Sequence, residues 1–230
     1  MGMKLKRVAV PTSRTELVAE MLRASILSSG LPAGSRLDLD EIASQIGVSR
    51  MPVREAVKRL EAEGLVTIFP HRGIEVARLD PAEIEEIFDL RIVLETHAVA
   101  RAVGRLSSKD LDDIEAVLER MDKPGLARPA WMDLNQRFHH AIYAACGSPR
   151  LLELIDKLRV NVERYVRAYL ELRGSEHPQR QHHQLFDACR ARDVAAAQTI
   201  LSEHLTDTAR LLLEALRNGN AVAPKQGEAP

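Results

Sequence analysis

The chain has 230 residues, 45% of them hydrophobic but only 3% aromatic, and a formal net charge of −1. That length suits two domains, with interiors of Leu, Ile, Val and Ala that favour packed helices. No apolar run approaches the roughly 18 residues of a membrane span, no signal-peptide pattern is present, and Cys146 and Cys189 form no metal or disulfide motif. These features argue against membrane, exported and cysteine-cluster classes, and a cytoplasmic protein with two buried thiols is expected.

The small net charge hides an asymmetry. Residues 1–77 hold 11 Lys/Arg against 9 Asp/Glu, whereas residues 78–230 hold 21 against 24. A weakly basic front half is compatible with a nucleic-acid partner but is not sufficient evidence for one.

Over residues 13–29 the apolar positions Leu17, Val18, Met21, Leu22, Ile26 and Leu27 predict a helix opened by Thr12 or Ser13. Gly30-Leu31-Pro32-Ala33-Gly34 marks a turn. A short helix is expected over about residues 39–46, ended by Gly47, and a third runs through Val53, Ala56, Val57 and Leu60 to Glu63, closed by Gly64. Residues 65–69 read as a strand, 70–73 as a turn and 74–76 as a second strand.

From Asp80-Pro81 onward the pattern is helical throughout. Asp80 can cap, and Pro81 stands at the first helical position, where a missing N–H is harmless. Breaks near 104–108, 123–125, 147–149, 174–178 and 190–193 give about six helices and no strand. No internal repeat or sustained heptad seam is evident. The expected organisation is a front domain over 1–77, an all-helical domain over 78–217, and a small-residue, polar tail over 218–230 that is expected to be disordered.

Glu41-Ile42-Ala43-x-x-Ile46-Gly47-Val48-Ser49-Arg50 has the order of a helix-turn-helix. Ile42, Ala43 and Ile46 would pack, Gly47 would permit the turn, Val48 would fill the core beneath it, and Ser49 would cap the next helix. That helix would enter the major groove by its N-terminal end. Arg50 and Arg54 are four apart and share a face, where a guanidinium can take a guanine edge or a phosphate at two points. Pro52 falls in the first turn, where proline is tolerated. The following hairpin, with His71-Arg72-Gly73 at its tip, fits a wing: His71 or Arg72 can reach phosphate or minor groove, and Gly73 lets backbone approach DNA. A lone arginine would be a solvated charge, but the turn, cap and hairpin in sequence favour DNA.

Val48-Ser49-Arg50-Met51-Pro52-Val53-Arg54-Glu55-Ala56 and Leu60-Glu61-x-Glu63-Gly64-Leu65-Val66, with Pro32-Ala33-Gly34-x-x-Leu37 ahead of them, resemble the GntR family of bacterial transcription factors over about residues 13–77. The resemblance implies a dimer on a palindromic double-stranded operator. By position it assigns DNA contacts to Ser49, Arg50, Met51, Pro52, Arg54, His71 and Gly73. This chain has Asp40 where a phosphate-binding arginine is found in the FadR branch.

In the back half, Asn135 and His139 are four apart on one helix, and His182 and His204 lie on two later helices. A bundle can converge three such helices on one internal point. Three imidazoles and an amide oxygen would make a partial shell for a divalent first-row metal. Spacing alone leaves the neighbours His140 and His183 as alternatives.

Asn135-x-x-Phe138-His139-x-x-Ile142, His182-x-x-Leu185-Phe186-x-Ala188 and His204-Leu205 are similar to the FCD sensing domain of the FadR branch, over roughly residues 80–217. The resemblance implies metal ligands at Asn135, His139, His182 and His204, with zinc the first expectation and nickel or manganese as alternatives. Asn in place of the commoner Asp removes a negative charge, so weaker metal binding or dependence on a bound anion is expected. Arg91 and Glu95, four apart, also match the family pattern. Arg91 either holds a carboxylate effector, such as a hydroxy or sugar acid, or forms an intrahelical ion pair.

The expected fold is mainly α, a winged helix-turn-helix followed by a helical bundle. The expected function is that of a regulator, repressor rather than activator, controlled by a small carboxylate. Two rival readings are a metal-dependent hydrolase, in which three histidines activate water, and a DNA-binding protein whose helical domain is purely structural.

Overall fold

A computed structural model describes residues 13–28, 30–173 and 175–217. The chain divides into two compact units, Met1–Ala77 and Arg78–Pro230. The tail at 218–230 that the composition marks as disordered lies outside the described residues.

In the first unit, α1 (Arg14–Leu27) starts where the Ser13 hydroxyl accepts the Glu16 N–H at 3.1 Å, and it buries Val18, Ala19, Leu22 and Ile26. Helix α2 (Leu39–Ile46) is capped by Asp38, whose carboxylate accepts from the Asp40 and Glu41 N–H groups. The bonds from Glu41 and then Asp40 hold the Asp38 carboxyl below its ordinary value. Gly47, at φ 73°, takes the left-handed conformation that ends α2 and turns the chain. Helix α3 (Arg50–Ala62) buries Val53, Ala56, Val57 and Leu60, and Arg23 of α1 grips both oxygens of Glu63 at its far end, at 2.8 and 2.5 Å.

Strands β1 (Val66–Phe69) and β2 (Gly73–Val76) pair antiparallel, Val66 opposite Val76 and Phe69 opposite Gly73. The first strand begins one residue later than the pattern suggests, because the Leu65 N–H bonds back to the Leu60 carbonyl and closes α3. A further edge was not legible in the sequence. Gly34 donates to the Val76 carbonyl at 2.8 Å and Leu37 to the Ile74 carbonyl at 2.9 Å, with Arg36 bridged to Glu75. So short an edge has no alternation to reveal it beside the Pro32-Ala33-Gly34 turn. Val48, expected in the core, is only half-buried.

The second unit is α4 (Pro81–Val103), α5 (Ser108–Met121), α6 (Arg128–Ala144), α7 (Pro149–Arg173), α8 (Glu176–Arg190) and α9 (Val194–Arg217). Asp80 and Glu83 form a capping box with Pro81 in the first turn, and Ser107 with Asp110 form another. Short connections make successive helices antiparallel. Helix α4 runs through the middle, packing on α6, α7 and α9. Phe88, Val99, Ile114, Phe138, Ile142, Leu185 and Leu201 are among its fully buried core. Both cysteines are buried, and burial pushes the Cys189 thiol up to about 12, far from reactive thiolate.

Because only glycine occupies the left-handed region without penalty, Gly47→Ala is expected to destabilise the first unit by about 1 kcal/mol. Nothing within 4 Å would meet the added Cβ, so the effect is backbone strain alone. An unchanged midpoint in chemical denaturation would refute it.

Candidate nucleic-acid interface and metal centre

The first turn of α3 presents Ser49, Arg50, Met51 and Arg54 to solvent, with Pro52 half-buried among them. Met51 is 61% exposed, unusual for a large apolar side chain and suited to a thymine methyl. His71, Arg72 and Gly73 are exposed at the hairpin tip, where His71 at φ 62° and Gly73 at φ 108° turn the backbone tightly. Ser49 stands at the cap position but, contrary to expectation, its hydroxyl makes no cap bond. The leading amide N–H groups of α3 therefore have no acceptor in Ser49 and can donate to an anion such as a phosphate. Asp40 lies 3.4 Å from Arg50 in an ion pair between exposed groups, which contributes little to stability.

Within the second unit, His139 of α6, His182 of α8 and His204 of α9 are all buried, each offering a ring nitrogen within 4.8 Å of the others. The Nε2 atoms of His139 and His182 are 3.2 Å apart. Each Nδ1 meets an oxygen that can accept its proton: Tyr143 Oη at 3.2 Å for His139, Gln179 Oε1 at 3.3 Å for His182, and Gln181 Oε1 at 2.9 Å for His204. Tyr143 itself donates to Glu95 at 2.6 Å, so its oxygen keeps a lone pair for His139. With the protons so placed, the facing Nε2 atoms of His139 and His182 carry lone pairs, and His204 offers a ring nitrogen to the same point. Neighbouring ring nitrogens of that kind repel unless a cation lies among them.

Burial, followed by the nearby positive groups, lowers the histidine pKa values, His204 to about 4 and His139 and His182 well below the ordinary range. All three are thus neutral at pH 7, the form that can ligate a metal. Asn135 lines the same cavity, and its buried Oδ1 has no hydrogen-bond partner among the described residues. An orphaned amide oxygen beside three convergent imidazoles fits a divalent metal. The adjacent His140 and His183 are exposed and face Asp156 and Asp122, so they are not part of this cluster.

Arg91 forms the intrahelical ion pair with Glu95 that the spacing allows. It donates through Nε to Glu95 at 2.7 Å, and it also lines the cavity. Burial alone would raise the Glu95 carboxyl, but Arg91, Arg159 and the Tyr143 hydroxyl hold it below its ordinary value. Arg159 of α7 lies 3.7 Å from Glu95 and lines the cavity too. Sequence reasoning missed Arg159, which stands in no motif. Tyr143 and Gln181 carried a weak signal, one four residues after His139 and the other beside His182.

The exposed recognition helix, the hairpin wing and the helical domain define a DNA-binding transcription regulator. The chain belongs to the GntR family: residues 14–76 match bacterial regulatory proteins, gntR family, and residues 86–207 match the FCD domain. It is 30% identical over 206 residues to the HTH-type transcriptional repressor GlaR of Escherichia coli, across 85% of this chain and 94% of that one. It is also 31% identical over 163 residues to the HTH-type transcriptional regulator McbR of the same species, across 69% and 71%. The solved structure of E. coli McbR/YncC matches with a TM-score of 0.76 at 27% identity, over 89% of this chain and 99% of that one. A putative GntR regulator from Rhodococcus matches at 0.70 and 26%, with the same coverage. These relatives are regulators, and the hydrolase reading is set aside.

Removing the Glu95 carboxylate leaves two arginines facing each other in a buried site. Glu95→Ala is expected to destabilise the helical domain by about 3 kcal/mol or more. Urea denaturation followed by circular dichroism measures this, and a loss under about 1 kcal/mol would be incompatible with a buried ion cluster.

Proposed function

We propose that the chain is a cytoplasmic, homodimeric repressor that releases a palindromic operator when a small carboxylate binds beside a metal in the helical domain. The observation that carries this reading is a cluster of three buried histidines, two of which, His139 and His204, line one cavity together with Asn135 and its orphaned oxygen, Arg91 and Arg159. Asn135, His139, His182 and His204 would hold a divalent transition metal, zinc first, with nickel or manganese compatible with the same ligand types. When bound, the metal would supply a Lewis-acidic seat for an anion, because uncharged Asn135 leaves the ion's positive charge uncompensated. Arg91, its Nε engaged by Glu95, keeps its terminal nitrogens for the effector carboxylate. Repression accords with the name of the GlaR relative.

On DNA, Arg50 and Arg54 read base edges, while Ser49, Met51, Pro52 and the first-turn amides of α3 lie against the groove wall. His71, Arg72 and Gly73 serve as the wing. Leu90 and Val93, 47% and 67% exposed on one stripe of α4, suit contact with a second copy. An effector shifts operator occupancy only by the difference in its affinity for the DNA-bound and free dimers. That difference is what the metal-side cavity would provide.

Two variants test the two halves of this reading. Arg54→Ala is expected to lose operator selectivity by about 1–3 kcal/mol while the dimer stays folded. Undiminished discrimination in a gel-shift competition would remove Arg54 from base readout. His182→Ala combined with His204→Ala is expected to purify without metal yet still bind the operator. Full metal content by elemental analysis would place the ion elsewhere.

A further inference from the structure

Resting on the carboxylate reading above, the geometry points to an effector of a narrower class: a monocarboxylate with an apolar body, held at one end by Arg91 and Arg159 beside the histidine cluster and sheathed at the other by aliphatic and aromatic side chains. The cavity is sorted along the helix axes. At one level lie Arg91, His139, Arg159 and His204, with Asn135 one turn below them. Because α6 and α7 are antiparallel, moving back along α6 from His139 and forward along α7 from Arg159 descends the same wall. That descent, roughly 12 Å along α6, reaches Trp131, Met132, Val166 and Leu170, with Leu211 of α9 beside them.

Polar residues at the α8–α9 edge do not make this lower region a polyol site. Gln181 donates to Asp207 and accepts from His204, His177 also pairs with Asp207, and Thr208 donates to the His204 carbonyl. Glu163 is taken by Arg167. These groups already bond to one another, so ligand hydroxyls laid against the aliphatic wall would be desolvated with few partners to receive them. Buried unsatisfied capacity is concentrated at the other end, and Gln136, which also lines the cavity, is exposed to solvent. Among the described residues the buried Asn135 Oδ1 is unbonded, and Arg159 has no hydrogen bond, its ion-pair partner Glu95 standing 3.7 Å away. A guanidinium with free donors at that end matches one carboxylate, and the wall below matches a hydrocarbon segment.

Isothermal titration of the metal-loaded dimer with straight-chain carboxylates from acetate to octanoate, and with gluconate as a hydroxylated control, tests this. Affinity is expected to rise about fourfold per methylene until the wall is covered, and hexanoate is expected to bind more tightly than gluconate. Arg159→Gln is expected to weaken every carboxylate, acetate included, by about tenfold or more, with metal content unchanged. Leu211→Asn, at a half-exposed position that leaves the core intact, is expected to flatten the chain-length dependence without affecting acetate. A flat series, tighter gluconate binding, or undiminished binding to Arg159→Gln overturns this inference and leaves the broader carboxylate reading standing. If acetate and the rest of the series all fail to bind, both fall together.

Discussion

Glu95 is a carboxylate with 0% exposure, and the rest of the cavity depends on how its charge is compensated. Arg91 approaches from the same helix, Arg159 from α7, and the Tyr143 hydroxyl from α6. A buried carboxylate is tolerated only when its oxygens are paired in this way. Once Tyr143 donates to Glu95, its oxygen can only accept from His139, and that fixes which ring nitrogen of His139 faces the cavity. The ionic cluster and the histidine cluster are therefore one network, and the orientation of a candidate metal ligand is set two bonds away from it.

Each unit spends its regular structure differently. In the front domain, α1 and α3 bury aliphatic faces against each other, and the leading end of α3 is left exposed with two arginines, a methionine and amides that Ser49 does not cap. In the helical domain six polar or charged side chains, Arg91, Glu95, His139, Gln181, His182 and His204, are buried. Exposed charge suits a polyanionic partner too large to enter a pocket, and inward charge suits a small ligand that must be stripped of water.

The front domain was largely legible because its determinants are local. Gly47 after an amphipathic octet, proline in the first turn of α3, and paired strands around His71-Arg72-Gly73 each declare their geometry within a few residues. Sequence order also placed the helices of the bundle, through Asp80-Pro81 and the glycine-bearing breaks. What was misread locally was fine chemistry: Asp38, not noticed, caps α2, and Ser49, expected to cap α3, does not. The strand-like edge at residues 34–37 depends on bonds to β2, about 40 positions away, and no local pattern encodes it.

By itself the sequence determined the fold class, the family, and the residue types available for DNA and for a metal, because periodicity, turn chemistry and motif spacing are local properties of the chain. The tertiary structure decided which histidines meet and which face solvent, since His139 and His140, or His182 and His183, differ only in the side of the helix they occupy. It also brought Arg159 beside Glu95 and sorted the cavity into a polar and an apolar end. Those outcomes follow from the register of packed helices, which no single segment contains.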